Sequence, residues 1–135
     1  MIIIIPLGGI GQRFKNNNYV LPKSLIKIFG KSILHYLLDS LHLETIDFVY
    51  IPYNKEYIQY NFEENLKKNY PNIHFKFCKL IDNTRGAAET LNIAIKKLSC
   101  EDCPVLCLDG DNFYLDNIIK KWNGNNCVIT FNDNE

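Results

Sequence analysis

The chain opens on a continuous apolar run, Ile2 to Ile5, closed by Pro6. An unbroken β-branched run of this kind predicts a strand buried on both faces of a parallel sheet. Four more strands are predicted: Asp47 to Pro52 around Phe48-Val49-Tyr50-Ile51, Ile73 to Cys78, Val105 to Leu108, and Cys127 to Phe131. In the strand from Ile73 to Cys78, Ile73, Phe75 and Phe77 alternate with polar positions, which marks one buried face.

Between these runs the apolar period changes from two to about four. Ile33, Leu34, Leu37, Leu38 and Leu41 recur at helical spacing behind Ser32, a possible N-cap. Ile58, Phe62 and Leu66 recur every four residues behind Asn54, which predicts a single capped helix. Ala88, Leu91, Ile95 and Leu98 mark the face of another, and Leu115, Ile118, Ile119 and Trp122 a last one stopped by Gly124. The order is β-α-β-α-β-α-β-α-β, which implies a three-layer α/β/α domain over residues 1–135 with a mostly parallel sheet. Crossovers should be right-handed, and ligands should bind beyond the carboxyl ends of the strands.

Three segments fall at that edge. The first is the connection from Leu7 to Lys31, which holds Gly8, Gly9, Gly11, Arg13 and Pro22-Lys23. A connection that long inside a small domain is usually functional. The others are the Thr84-Arg85-Gly86 turn and Asp109-Gly110-Asp111 after the fourth strand.

Bulk composition narrows the partners. With 135 residues, 47% hydrophobic and 22% charged, this is an ordinary globular chain able to bury one core. Its formal net charge is zero, so bulk attraction to nucleic acid or an anionic membrane is not expected. No apolar run approaches the roughly 18 residues of a membrane span, and the N-terminus lacks a signal-peptide pattern, so a cytoplasmic protein is expected. Cys78, Cys107 and Cys127 lie in strand-like runs and are expected to be small buried hydrophobes. Cys100-Glu101-Asp102-Cys103 lacks a second ligand pair and reads as a connection between helix and strand.

The candidate chemistry is phosphate binding. Glycines permit positive φ and close backbone approach, so successive N–H groups can face phosphate oxygens. Arg13 adds a guanidinium suited to bidentate phosphate contacts, and Pro22 limits where the Lys23 amine can go. The bland alternative is a tight turn with solvated basic residues. A dinucleotide fingerprint would need glycine where Phe14 stands, and a P-loop would need glycine at Leu25. Asp109 and Asp111 suit Mg²⁺, which is often held by one or two carboxylates plus phosphates; a plain Asp-Gly turn is the alternative. Small residues in Gly86-Ala87-Ala88 would let a flat ring lie against the backbone, or simply begin a helix. His35, His42 and His74 are scattered and have no triad-like setting.

Together these residues resemble the sugar nucleotidyltransferase family, in particular its capsule- and lipopolysaccharide-type members. The likeness lies in Gly9-Ile10-Gly11-Gln12-Arg13-Phe14, Pro22-Lys23-Ser24-Leu25-Ile26, Gly30-Lys31, Gly86-Ala87-Ala88-Glu89-Thr90 and Leu108-Asp109-Gly110-Asp111-Asn112-Phe113-Tyr114. The resemblance implies a Rossmann-like fold of the nucleotide-diphospho-sugar transferase type, truncated. It implies that an NTP reacts with a sugar-1-phosphate, releasing pyrophosphate, with Mg²⁺ as cofactor. Arg13 and Lys23 would be the catalytic cations. Leu7, Gly8, Gly9, Gly11, Arg13, Lys23, Gly86, Ala87 and Asp109 would contact the nucleotide, and Asp111 would hold the metal. Family members continue past the point reached at Glu135, so the acceptor half is expected to be missing. The chain is then a fragment, a domain completed by another chain or copy, or a non-catalytic nucleotide-binding module. A truncated sheet should also self-associate.

Overall fold

The computed structural model of this chain describes residues 1–98 and 102–130. Its centre is a four-stranded parallel sheet. β1 (Ile2–Ile4) is followed by the short helix α1 (Gln12–Lys15) and a 3-10 turn, Lys23–Leu25. A small antiparallel hairpin, β2 (Lys27–Ile28) and β3 (Lys31–Ser32), leads into α2 (Ile33–Ser40). Its two-residue loop, Phe29-Gly30, has positive φ at both positions, 50° and 83°, as a tight hairpin turn demands. Next come β4 (Phe48–Tyr53), a 3-10 helix (Lys55–Tyr60), α3 (Phe62–Asn69), β5 (Phe75–Lys79), α4 (Ala87–Leu98), β6 (Val105–Cys107) and α5 (Ile118–Lys121).

The strand order is β5-β4-β1-β6. In register, Ile2 lies beside Phe48 on one side and Val105 on the other, and Val49 lies beside Phe75. β1 is thus central, and Ile2, Ile3, Ile4 and Ile5 are at most 1% exposed. Alternate residues of one strand feed two cores. Ile3 and Ile5 pack with Leu34, Leu37 and Leu38 of α2 and Phe62 and Leu66 of α3. Ile2 and Ile4 pack with Tyr50, Cys78, Leu80 and Ala94 of α4. Helices therefore cover both faces, as the alternation predicts.

Four expectations are corrected. The helix expected behind Asn54 is two elements: the chain turns at Asn61 (φ 48°), so Ile58 is exposed and Tyr57 takes the buried place instead. The inward face of α4 is Thr90, Leu91, Ala94 and Leu98, whereas Ala88 and Ile95 face outward. Residues 127–130 form no strand and are exposed, and Phe131 lies outside the described residues. Of the cysteines expected to be buried, Cys78 is, while Cys107 and Cys127 are exposed. Cys103 is disulfide-bonded and packs against the second core; Cys100 and Glu101 lie outside the described residues.

Candidate functional site

Because all four strands run parallel, their carboxyl ends share one edge. The connections leaving β1 and β6, adjacent strands far apart in sequence, meet there. In open α/β sheets this is where strand order reverses and ligands bind.

The glycine loop is fastened before it begins. The Leu7 amide donates to the Pro52 carbonyl (2.8 Å) and the Asn54 amide donates to the Leu7 carbonyl (3.0 Å). The Leu7 side chain is buried, so its part is to tie the loop to β4. Gly8 then passes beneath the start of α4, where a Cβ would lie 2.2 Å from Thr90 Oγ1 and 2.8 Å from Thr84 Oγ1. Gly9 has open space around it, and Gly11 takes φ +61°. Among the described residues, none accepts a hydrogen bond from the backbone amides of Gly8 to Arg13. Arg13 is exposed on α1 and has no ion-pair partner among the described residues. These are donors left available to an anion.

Lys23 is held more tightly. Pro22 (φ −52°) starts the 3-10 turn, and the next residue, Ser24, is buried and shares a 2.9 Å hydrogen bond with the Tyr57 hydroxyl. Burial pushes the Tyr57 phenol up to about 12, the Glu56 and Asp111 charges push the same way, and the Ser24 bond opposes them. The Lys23 ammonium is ion-paired with Asp111 and lies 5.5 Å from the centre of the Phe14 ring. Asp111 reaches it because Gly110 packs closely on the loop: a Cβ there would be 2.3 Å from Leu7 Cδ2.

Asp109, two residues earlier, is exposed and faces a different neighbour. After burial, its charge is the main influence raising the Tyr114 phenol. Gly86 and Ala87 are exposed at the start of α4, and the Gly86 carbonyl accepts from the Thr90 amide (3.1 Å) and hydroxyl (3.2 Å). The Arg85 amide donates to Glu89 Oε2 (2.6 Å), and this bond with the Arg85 side chain lowers the Glu89 carboxyl. Through Gly8, Thr84 and Thr90, this turn and the glycine loop are in direct contact.

The residues expected at the site thus divide into two neighbourhoods joined by Gly8. Lys23 and Asp111 lie on one side, beside Phe14 of the helix that carries Arg13, and Gly86 and Ala87 on the other. A residue missed in the sequence joins them. Asn54, 1% exposed, accepts from the Glu56 amide (3.1 Å) and donates from Nδ2 to Asn83 Oδ1 (2.8 Å) and the Gly8 carbonyl (3.4 Å). Its position directly after an apolar strand was the available signal; it reads equally well as a helix cap. A separate cleft of about 360 Å³, lined by Leu21, Leu25, Leu34, His35, Phe62 and Leu66 among others, includes none of the expected site residues.

No family model and no curated protein matches this sequence. Solved structures are similar to it, among them the following two. One is a nucleoside-diphosphate-sugar pyrophosphorylase from Vibrio cholerae RC9, with TM-score 0.71 and 20% identity, covering 89% of this chain and 52% of that one. The other is the inositol-1-phosphate CTP transferase from T. maritima, with TM-score 0.67 and 15% identity, covering 84% of this chain and 44% of that one. At these identities the likeness is one of fold. The chain spans about half the length of the structures it matches.

Proposed function

We propose that this chain is the nucleotide-binding part of a nucleotidyltransferase that joins an NTP to a sugar-1-phosphate with release of pyrophosphate. One observation carries this most: Lys23 and Asp111, 88 residues apart, meet at the carboxyl edge beside a glycine loop with available backbone donors. The fold likeness to two nucleotidyltransferases supports it.

In this reading the amides of Gly9 and Gly11 and the Arg13 guanidinium take the β- and γ-phosphates. Lys23 takes the α-phosphate or the incoming sugar phosphate, and the base lies against Gly86 and Ala87. The reaction needs two anions brought into line with their repulsion neutralised, which demands positioning more than covalent help from side chains.

The donor set also bears on Mg²⁺. Among the described residues, no group of three metal-ligating side chains exists, so the protein alone forms no cage. A single carboxylate beside a phosphate site does fit a metal that draws its remaining ligands from phosphate and water. Asp111 would hold it. The metal would supply charge neutralisation across the phosphates.

The partial span of the neighbours favours a second reading: a module that binds nucleotide without turnover, or that needs another chain or further sequence for the acceptor. A pyrophosphate-release assay with each NTP, Mg²⁺ and a panel of sugar-1-phosphates separates the two. Release with one pair, lost in Lys23→Ala and Asp111→Ala, supports the transferase. Nucleotide binding without release for any pair supports the module.

A further inference from the structure

The 3-10 helix after β4, Lys55–Tyr60, contacts both arms of the 7–31 connection. Glu56 is ion-paired with Lys15 on α1, the helix that carries Arg13. The next residue, Tyr57, is 3% exposed and hydrogen-bonds Ser24, the residue after Lys23. The segment itself is fixed by Asn54, which caps it and also holds Gly8 and Asn83. Neighbouring side chains of one short helix therefore hold the supports of two cations that are ten residues apart in sequence.

The two ties differ in kind. The Glu56–Lys15 pair is partly exposed and screened by solvent, so it restrains α1 weakly. The Tyr57–Ser24 bond is buried on both sides, and removing one partner leaves the other unsatisfied. A buried hydroxyl pair beside a half-buried lysine holds that lysine's backbone in place rather than its amine. The amine stays free to exchange Asp111 for a phosphate.

We propose that Tyr57 is a positioning residue for Lys23, and Glu56 a weaker one for α1 and Arg13, so that the 3-10 helix after β4 sets how the two cations face a triphosphate. This rests on the nucleotide-binding reading above.

Tyr57→Phe keeps the ring in the core and removes only the hydroxyl. In the ligand-free protein, amide hydrogen exchange over residues 23–26 should speed up in Tyr57→Phe and stay unchanged in Glu56→Gln. Affinity for the NTP that the unaltered chain binds best should fall by roughly three- to tenfold in Tyr57→Phe, and by less than about twofold when Lys23→Ala is already present. Equal losses in both backgrounds would mean a merely structural role, and either that result or unchanged exchange overturns the positioning role alone. If the unaltered chain binds no NTP, the functional reading falls and this inference falls with it.

Discussion

The Lys23 ammonium and the Asp111 carboxylate form an ion pair across the carboxyl edge, each about one-third exposed (38% and 35%). In this pairing the cation offered to phosphate and the carboxylate offered to metal neutralise each other. Asp111→Asn should free Lys23, so affinity for an NTP in EDTA should rise by about two- to fivefold, the range expected for a partly exposed pair. The same variant should lose the gain that Mg²⁺ gives the unaltered chain. Calorimetric titrations with and without Mg²⁺ check both; weaker binding of Asp111→Asn in EDTA would contradict the pairing's role.

Gly8→Ala should disturb both neighbourhoods of the site, because its Cβ would meet Thr90 Oγ1 at 2.2 Å. The expected cost is about 1–3 kcal/mol of stability, with weaker nucleotide binding. Gly9→Ala, with open space around it, is the control and should leave the melting point nearly unchanged. Urea unfolding of the two variants compares them; equal costs would contradict the close packing of the loop on α4.

Much of this architecture is legible in the sequence because it rests on apolar runs. β1, α2, β4, β5 and β6 fall within a few residues of where Ile2–Ile5, Leu34–Leu38 and their counterparts place them. The errors have local causes. Asn61 in the left-handed region splits what the spacing of Ile58, Phe62 and Leu66 presents as one helix. Cys127–Thr130 has strand-like composition, but composition does not say whether a neighbouring strand exists to pair with. At the site, Gly8, Lys23 and Asp111 could be named from residue type and position. Asn54, Ser24 and Tyr57 could not, since their roles are hydrogen bonds between distant segments and each looks locally like a cap or a core residue.

Alkaline pH should destabilise the fold. Burial raises the phenols of Tyr50, Tyr53, Tyr57 and Tyr70 above their ordinary value of 10.0, Tyr57 to about 12. Groups whose folded pKa is raised give stability that is complete below the unfolded value and is lost as pH rises through the folded one. The melting temperature should therefore fall as pH rises from about 10 to about 12, and less steeply in Tyr57→Phe. A level profile over that range would contradict the burial of these hydroxyls.

Exposed apolar side chains predict self-association. Val20 (82%), Phe29 (100%), Leu115 (95%) and Val128 (86%) face solvent, and among the described residues β6 is paired along one edge only. Such surfaces tend to pair. Light scattering at rising concentration should show mass growth, reduced in Phe29→Ser; a clean monomer at high concentration would contradict it.

Calorimetric titration of the unaltered chain and Lys23→Ala with each of the four common NTPs in Mg²⁺ tests nucleotide binding at this edge. The unaltered chain should bind at least one NTP saturably and one-to-one, with a loss of roughly tenfold or more in Lys23→Ala, as expected for a charged hydrogen bond to phosphate. Binding of no NTP, or equal affinity in the two proteins, would contradict it.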